Sequence, residues 1–186
     1  MRWFKDKDFL RDKVPMSKEE VRFITSALLE IKEGDKILDI GTGTGSMSCQ
    51  FAELGADVYG IESKDLAYWL TLKNFENLGL KGKFVKGFAP EDLDNLGENY
   101  YDKVFIGGSR GRLEELFVYL DKNLKNRGIL IGNFISLDNL SEFRHLLKKN
   151  SYSDISCRLV QVSKEDKLGL MRGENPIYII KGVKND

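Results

Sequence analysis

The sequence predicts an α/β fold, a doubly wound and mostly parallel sheet that finishes with one antiparallel strand. Three observations carry this prediction. Short apolar runs alternate with amphipathic helical stretches five times along the chain. The first apolar run ends in three alternate glycines, Gly41, Gly43 and Gly45, and the last two β-rich runs have no helix between them. Right-handed crossovers turn five such alternations into a parallel sheet with helices on both faces, and the helix-free pair supplies an antiparallel end, for seven strands in all.

Each element has a local reason. In "SKEEVRFITSALLEIKEG", Ser17 and Glu20 stand at capping-box spacing and Val21, Ile24, Leu28 and Ile31 share one face, which predicts a helix that stops at Gly34. "KILDIG" is a short apolar run closed by glycine and reads as a buried strand. A helix from Ser46 to Leu54 follows, then a strand over Asp57 to Glu62, a long helix from Lys64 to about Asn77 ended by Gly79, and a short strand through Phe84 and Val85. After a brief turn or helix beyond Pro90 comes a strand through Val104, Phe105 and Ile106, leading into Gly107 and Gly108. Leu113, Leu116, Phe117, Leu120 and Leu124 form one helical stripe, "GILIGNFI" a fifth strand, and Leu137, Leu140, Phe143 and Leu147 a fifth helix. The charged stretch from Lys164 to Glu174 separates the closing runs "DISCRLVQVS" and "NPIYIIKG".

Length and composition bound the function. The chain of 186 residues is expected to be one domain over residues 1–186, with the first fourteen as a loose arm. A chain of this size buries roughly 70% of its unfolded surface and needs no staples. Lysine plus arginine and aspartate plus glutamate both number 29, so no basic footprint for nucleic acid exists and a small-molecule or protein partner is favoured. Cys49 and Cys157 stand far apart without metal-ligand spacing, which suits buried reduced thiols and a cytoplasmic location, with no metal. The opening residues are too charged for a signal peptide, and no apolar run approaches the ~18 residues of a membrane span.

The glycine loop narrows the ligand. Loops at the carboxyl ends of strands bind ligands where strand order reverses, and glycines there admit positive φ and close backbone approach beside the free N–H groups of a helix start. Glu62 ends the second strand about twenty residues on, where a carboxylate accepts bonds from both hydroxyls of a ribose. This pair fits NAD or S-adenosylmethionine. The spacing favours the latter, because GTGTG from Gly41 fails the third glycine of GxGxxG at Ser46, and no P-loop lysine is present.

"DIGTGTGS" with Glu62 resembles the first two motifs of the seven-stranded, Rossmann-like S-adenosylmethionine-dependent methyltransferases. More narrowly, "VPMSKEEVR", "DIGTGTGS", "FIGGSRGRLEEL" and "NPIYIIKGV" resemble the decarboxylating precorrin methyltransferases of cobalamin biosynthesis across nearly the whole chain. The resemblance implies a homo-oligomer, usually a tetramer, that methylates carbon 15 of cobalt-precorrin-6B and releases the carboxyl of the ring C acetate. By position it implies that Gly41, Thr42, Gly43, Gly45 and Glu62 hold the cofactor, with Ser17 near its methionine and Ala89 near its adenine. Gly107, Gly108 and Ser109 would face the methyl group and the tetrapyrrole. Two departures stand out: Phe88 replaces an aspartate that many relatives carry beside the adenine, and Arg110 stands where relatives can have glycine.

Displacement at a sulfonium methyl requires placement more than a strong base, and no Cys–His or Ser–His pair is evident. The single histidine, His145, reads as a surface residue of the fifth helix, and no catalytic residue is assigned. Arg110 and Arg112, where the fourth strand's loop enters its helix, are candidate substrate-binding residues, at least one pairing with substrate carboxylates unless both are solvated loop charges; in the first case loss of Arg110 should weaken macrocycle binding and spare the cofactor. Lys167 and Arg172 belong either to a solvated charged loop or to a cover over the macrocycle. An RNA or protein methyltransferase, a non-catalytic cofactor-binding subunit and a dehydrogenase stay open as rivals.

Overall fold

The structure, a computed structural model, describes residues 1–96 and 100–186. Its strands in chain order are β1 (Lys36–Ile40), β2 (Asp57–Glu62), β3 (Lys83–Lys86), β4 (Tyr101–Ile106), β5 (Leu124–Phe134), β6 (Ser153–Val160), β7 (Ser163–Glu165), β8 (Met171–Gly173) and β9 (Ile177–Val183). The helices are α1 (Glu19–Leu29), α2 (Ser46–Glu53), α3 (Asp65–Leu78), α4 (Leu113–Asn123) and α5 (Leu137–Lys149). Seven strands make one sheet in the order β3-β2-β1-β4-β5-β9-β6, while β7 and β8 pair only with each other. β9 runs antiparallel to both β5 and β6, and the other pairs of the large sheet are parallel. The doubly wound expectation, with one antiparallel strand, is what the chain adopts.

Alternation along the strands divides the core. Ile37, Val58, Phe105, Ile131 and Ile179 point to the face covered by α1, α2 and α3, where they meet Val21, Leu29, Phe51 and Phe75. Leu38, Ile61, Val104, Leu130 and Ile180 point to the other face and meet Leu116, Phe117, Leu120, Phe143 and Leu147 of α4 and α5. The sheet is thus buried on both sides, as its unbroken apolar runs require.

Several boundaries differ from the sequence reading. Ser17 and Glu20 do not form a capping box: α1 begins at Glu19, and Lys18 at its N-cap makes no side-chain cap bond. Glu20 is instead drawn to Lys164 at 3.0 Å, and the Ser17 carbonyl accepts from the Arg22 guanidinium. The helix stops at Leu29 rather than Gly34 because Glu30 turns left-handed, with φ 54, and Lys103 Nζ donates to the carbonyls of Leu29 and Glu30. Leu124 is buried but starts β5 instead of closing the α4 stripe, and Leu137 is exposed at the start of α5. The charged stretch near residue 164 folds into the β7–β8 hairpin, whose turn is organised by Asp166 accepting the N–H groups of Leu168 and Leu170.

The first residues, expected as a loose arm, lie against α1 and α2. Phe4 and Phe9 are buried, and Arg22, fully buried, donates to Asp6 Oδ1 at 2.8 Å and to the Phe4 carbonyl at 2.9 Å while its guanidinium covers the Phe9 ring. A buried guanidinium needs such partners, and the arm is where they come from.

Candidate functional site

Strand order reverses at β1, which lies between β2 and β4, so the loops after β1 and β4 bound a crevice at the carboxyl ends of the strands. The loops rise stepwise along the sheet: Gly107 N donates to the Ile40 carbonyl, Gly41 N to that of Ile61, and Gly87 N to that of Glu62. Two clefts open there, of ≈ 260 Å³ and ≈ 200 Å³, and Gly41, Gly43 and Gly107 line both.

The glycine loop is built for close approach. Gly41 has φ 82, and a Cβ there would lie 3.0 Å from the backbone of Gly108. Gly45 caps α2 with φ 77 against the backbone of Thr71. Thr42 is buried with its hydroxyl 2.8 Å from the Thr71 hydroxyl, which also donates to the Gly43 carbonyl. Thr42 therefore locks the loop onto α3 rather than presenting its side chain freely.

Glu62 lines the larger cleft and is largely buried. Its Oε2 accepts Gly43 N and its Oε1 accepts Lys64 N, each at 2.9 Å. A carboxylate has further lone pairs, so both oxygens retain acceptor capacity toward hydroxyls in the cleft. The glycine cradle and this carboxylate fit the methionine-ribose half of S-adenosylmethionine. Phe88 and Ala89 line the same cleft beyond Glu62, and Ser17 lines the smaller one with Ser46 and Asn133. Of the residues expected for the cofactor, Glu62 and Ala89 line the larger cleft, Ser17 and Thr42 the smaller, and Gly41 and Gly43 both, while Gly45 lines neither.

The loop after β4 brings Gly107, Gly108 and Ser109 to the larger cleft. The two arginines of that loop are not free forks. Arg112 is held by the carboxylates of Glu91 and Glu115. Arg110 donates to Ser63 Oγ at 2.8 Å and lies over the Phe88 ring at 5.1 Å, on the half of the cleft that holds Glu62. Arg172 is engaged by Asp166 within the hairpin, Lys167 is exposed, and neither lines the two clefts. His145 is exposed on α5 and lines neither cleft.

Sequence reasoning missed Asp39, Asn133 and Thr71. Asp39 is fully buried beneath the glycine loop, and Ser48 Oγ donates to its Oδ2 at 2.5 Å while Oδ1 has no partner. Burial, with a smaller contribution from the charge of Glu62, pushes its carboxyl up to about 7 against the pull of the Ser48 hydrogen bond. The one available signal was its place in "LDIG", a carboxylate inside a strand buried on both faces. Asn133 near the end of β5 hydrogen-bonds Thr25 of α1, and neither residue carried a pattern of its own.

A glycine-loop crevice at the switch point of this seven-stranded sheet defines a Rossmann-like methyltransferase. Residues 7–182 match the precorrin methyltransferase domain, and the chain belongs to that family. Among its relatives is the probable cobalt-precorrin-6B C(15)-methyltransferase (decarboxylating) of Saccharolobus solfataricus, 34% identical over 96% of this chain and 94% of that protein. The protein of the same name from Methanocaldococcus jannaschii is 31% identical over 96% and 97%. Of solved structures, precorrin-6y C5,15-methyltransferase from Geobacter metallireducens superposes with a TM-score of 0.90 at 30% identity, covering 98% of this chain and 97% of that one.

Proposed function

We propose that this protein methylates carbon 15 of cobalt-precorrin-6B and releases the carboxyl group of its ring C acetate as carbon dioxide, a step of cobalamin biosynthesis. The observation that carries this is the family match over nearly the entire chain, shared with relatives named for that reaction. S-adenosylmethionine is the proposed cofactor, and it supplies an electrophilic methyl group. Gly41, Thr42, Gly43, Gly45 and Glu62 are its proposed cradle, with Ser17 at the methionine end and Ala89 at the base.

Gly107, Gly108 and Ser109 are proposed to face the tetrapyrrole. Their exposed backbone polar groups and the Ser109 hydroxyl orient ring substituents, and the half-buried crevice excludes water around the reacting carbon. Loss of the carboxylate breaks one carbon–carbon bond and leaves its electron pair to the conjugated macrocycle, so the chain's task is to hold the acetate out of the ring plane. Arg112, already neutralised by two carboxylates, is assigned to bracing the loops.

A homo-oligomer is part of the reading. The β7–β8 hairpin stands apart from the large sheet and exposes Leu168, Leu170 and Met171, which suits a face covered by another copy. No helix among the described residues is long and apolar enough to cross a membrane, and the balanced charge favours a small-molecule substrate in the cytoplasm over nucleic acid.

Mass spectrometry of cobalt-precorrin-6B after incubation with the protein and methyl-labelled S-adenosylmethionine tests the reading. Gain of one labelled methyl with loss of one carbon dioxide is the expected result, and an unchanged macrocycle would overturn it.

A further inference from the structure

Among the described residues that line the larger cleft, Glu62 is the only carboxylate. The ribose-type acceptor Glu62 ends β2, the glycine loop lies on its β1 side, and the flat base attached to such a ribose must extend to the other side, toward β3. Three described carboxylates on that side are engaged elsewhere. Asp65 pairs with Lys86, Glu91 with Arg112, and Asp92 Oδ2 accepts Phe88 N at 2.8 Å. The Asp92 carboxylate also packs against Gly87, where a Cβ would lie 2.6 Å from it. What faces the cleft instead is the Phe88 ring, 48% exposed, and the Arg110 guanidinium above it.

Arg110 is placed there by its backbone. It has φ 53 and is followed by Gly111 with φ 75, two left-handed residues in succession that fold the loop back on itself. The side chain then reaches across the mouth of the cleft from the β4 loop to Ser63, the residue after Glu62, and to Phe88 in the β3 loop. A left-handed conformation at a non-glycine residue persists where its side chain is held, and here the hydrogen bond to Ser63 and the contact with Phe88 hold it.

We propose that Phe88 and Arg110 together form the base-recognition wall of this cleft, gripping the purine of the cofactor by its face and leaving its 6-amino group unread. Aromatic and guanidinium planes stack on any flat base, because every base presents a π-face. A site that hydrogen-bonds an amine, by contrast, is left with an unsatisfied polar group when the amine is removed and so discriminates strongly. The inference rests on the cofactor reading above and assigns Arg110 to the cofactor, not to the macrocycle.

Calorimetric titration of the purified protein with S-adenosylhomocysteine, and with its analogue that lacks only the 6-amino group, separates these cases. The expected affinities differ by less than about fivefold, as for recognition by stacking. A penalty of about a hundredfold for the missing amine, the behaviour of a hydrogen-bonding site, would overturn the proposal. Phe88→Ala is expected to weaken both ligands about tenfold, with Phe88→Trp restoring them, as loss and return of one stacking partner predicts. The melting temperature of the unliganded Phe88→Ala protein should fall only slightly, since the ring is half exposed and Arg110 keeps its hydrogen bond to Ser63. Full-strength binding by Phe88→Ala would overturn the proposal. Absence of S-adenosylhomocysteine binding by the unaltered protein would instead refute the cofactor reading on which it stands.

Discussion

The Glu62 carboxylate accepts the backbone N–H of Gly43 at 2.9 Å, tying the end of β2 to the glycine loop that follows β1. One side chain thus serves both the shape of the loop and the cleft it faces. Glu62→Gln keeps the volume but removes the charge that strengthens these hydrogen bonds. Affinity for S-adenosylhomocysteine should fall by on the order of a hundredfold, given what hydrogen bonds to a charged group contribute. Titration calorimetry measures this, and a loss below threefold would show that Glu62 does not bind the ligand.

Gly60 lies in β2 under the same loop, and its φ is ordinary. A Cβ there would sit 2.5 Å from Thr42 Cγ2 and 2.7 Å from the Phe84 ring. Gly60→Ala should therefore cost roughly 1–3 kcal/mol by overpacking. Because Thr42 belongs to the loop, ligand affinity should fall together with the urea midpoint. A stable variant with unaltered binding would show that the loop and Phe84 can yield.

Arg22 joins the arm to the domain through Asp6, the Phe4 carbonyl and the Phe9 ring. Arg22→Ala removes a buried group with several partners and should destabilise the protein by about 3 kcal/mol. Limited trypsin digestion should then cut within the first fourteen residues, at sites the intact protein protects. Equal digestion of both proteins would mean that the arm is held without Arg22, by its buried phenylalanines and by the hydrogen bonds of Leu10 with Asn74 and of Phe4 with Gln50.

Asp39 imposes a pH dependence of defined sign. Its folded carboxyl titrates at about 7, well above the ordinary carboxylate range. Between that range and about pH 7 the folded protein holds the proton that the unfolded chain has released, so this residue lowers stability as pH rises through the window. Asp39→Asn should remove that slope. Melting curves from pH 4 to pH 8 should show the variant gaining on the original protein toward pH 8, and parallel curves would contradict the assignment.

Much of the fold was legible because it depends on local pattern. The run Asp57–Glu62 is a strand with the limits its apolar residues suggest, and Gly79 ends α3 in a left-handed C-cap as its position predicts. The glycine loop and Glu62 were also readable, since positive φ and a strand-end carboxylate leave marks in sequence. The β7–β8 hairpin was not, because its charged residues carry no strand pattern and its turn depends on Asp166 folding back onto its own backbone.

Local pattern was enough to set the succession of strands and helices along the chain, the two apolar faces of the sheet and the loop that would meet a ligand. Tertiary structure decided which partners the long polar side chains took. Arg112 turned to Glu91 and Glu115, Arg110 crossed to Ser63 and Phe88, and Arg22 drew in the arm. The difference is one of range. Apolar periodicity acts over a few residues, whereas a guanidinium at the end of a flexible stem settles on whichever acceptors the folded chain brings within reach.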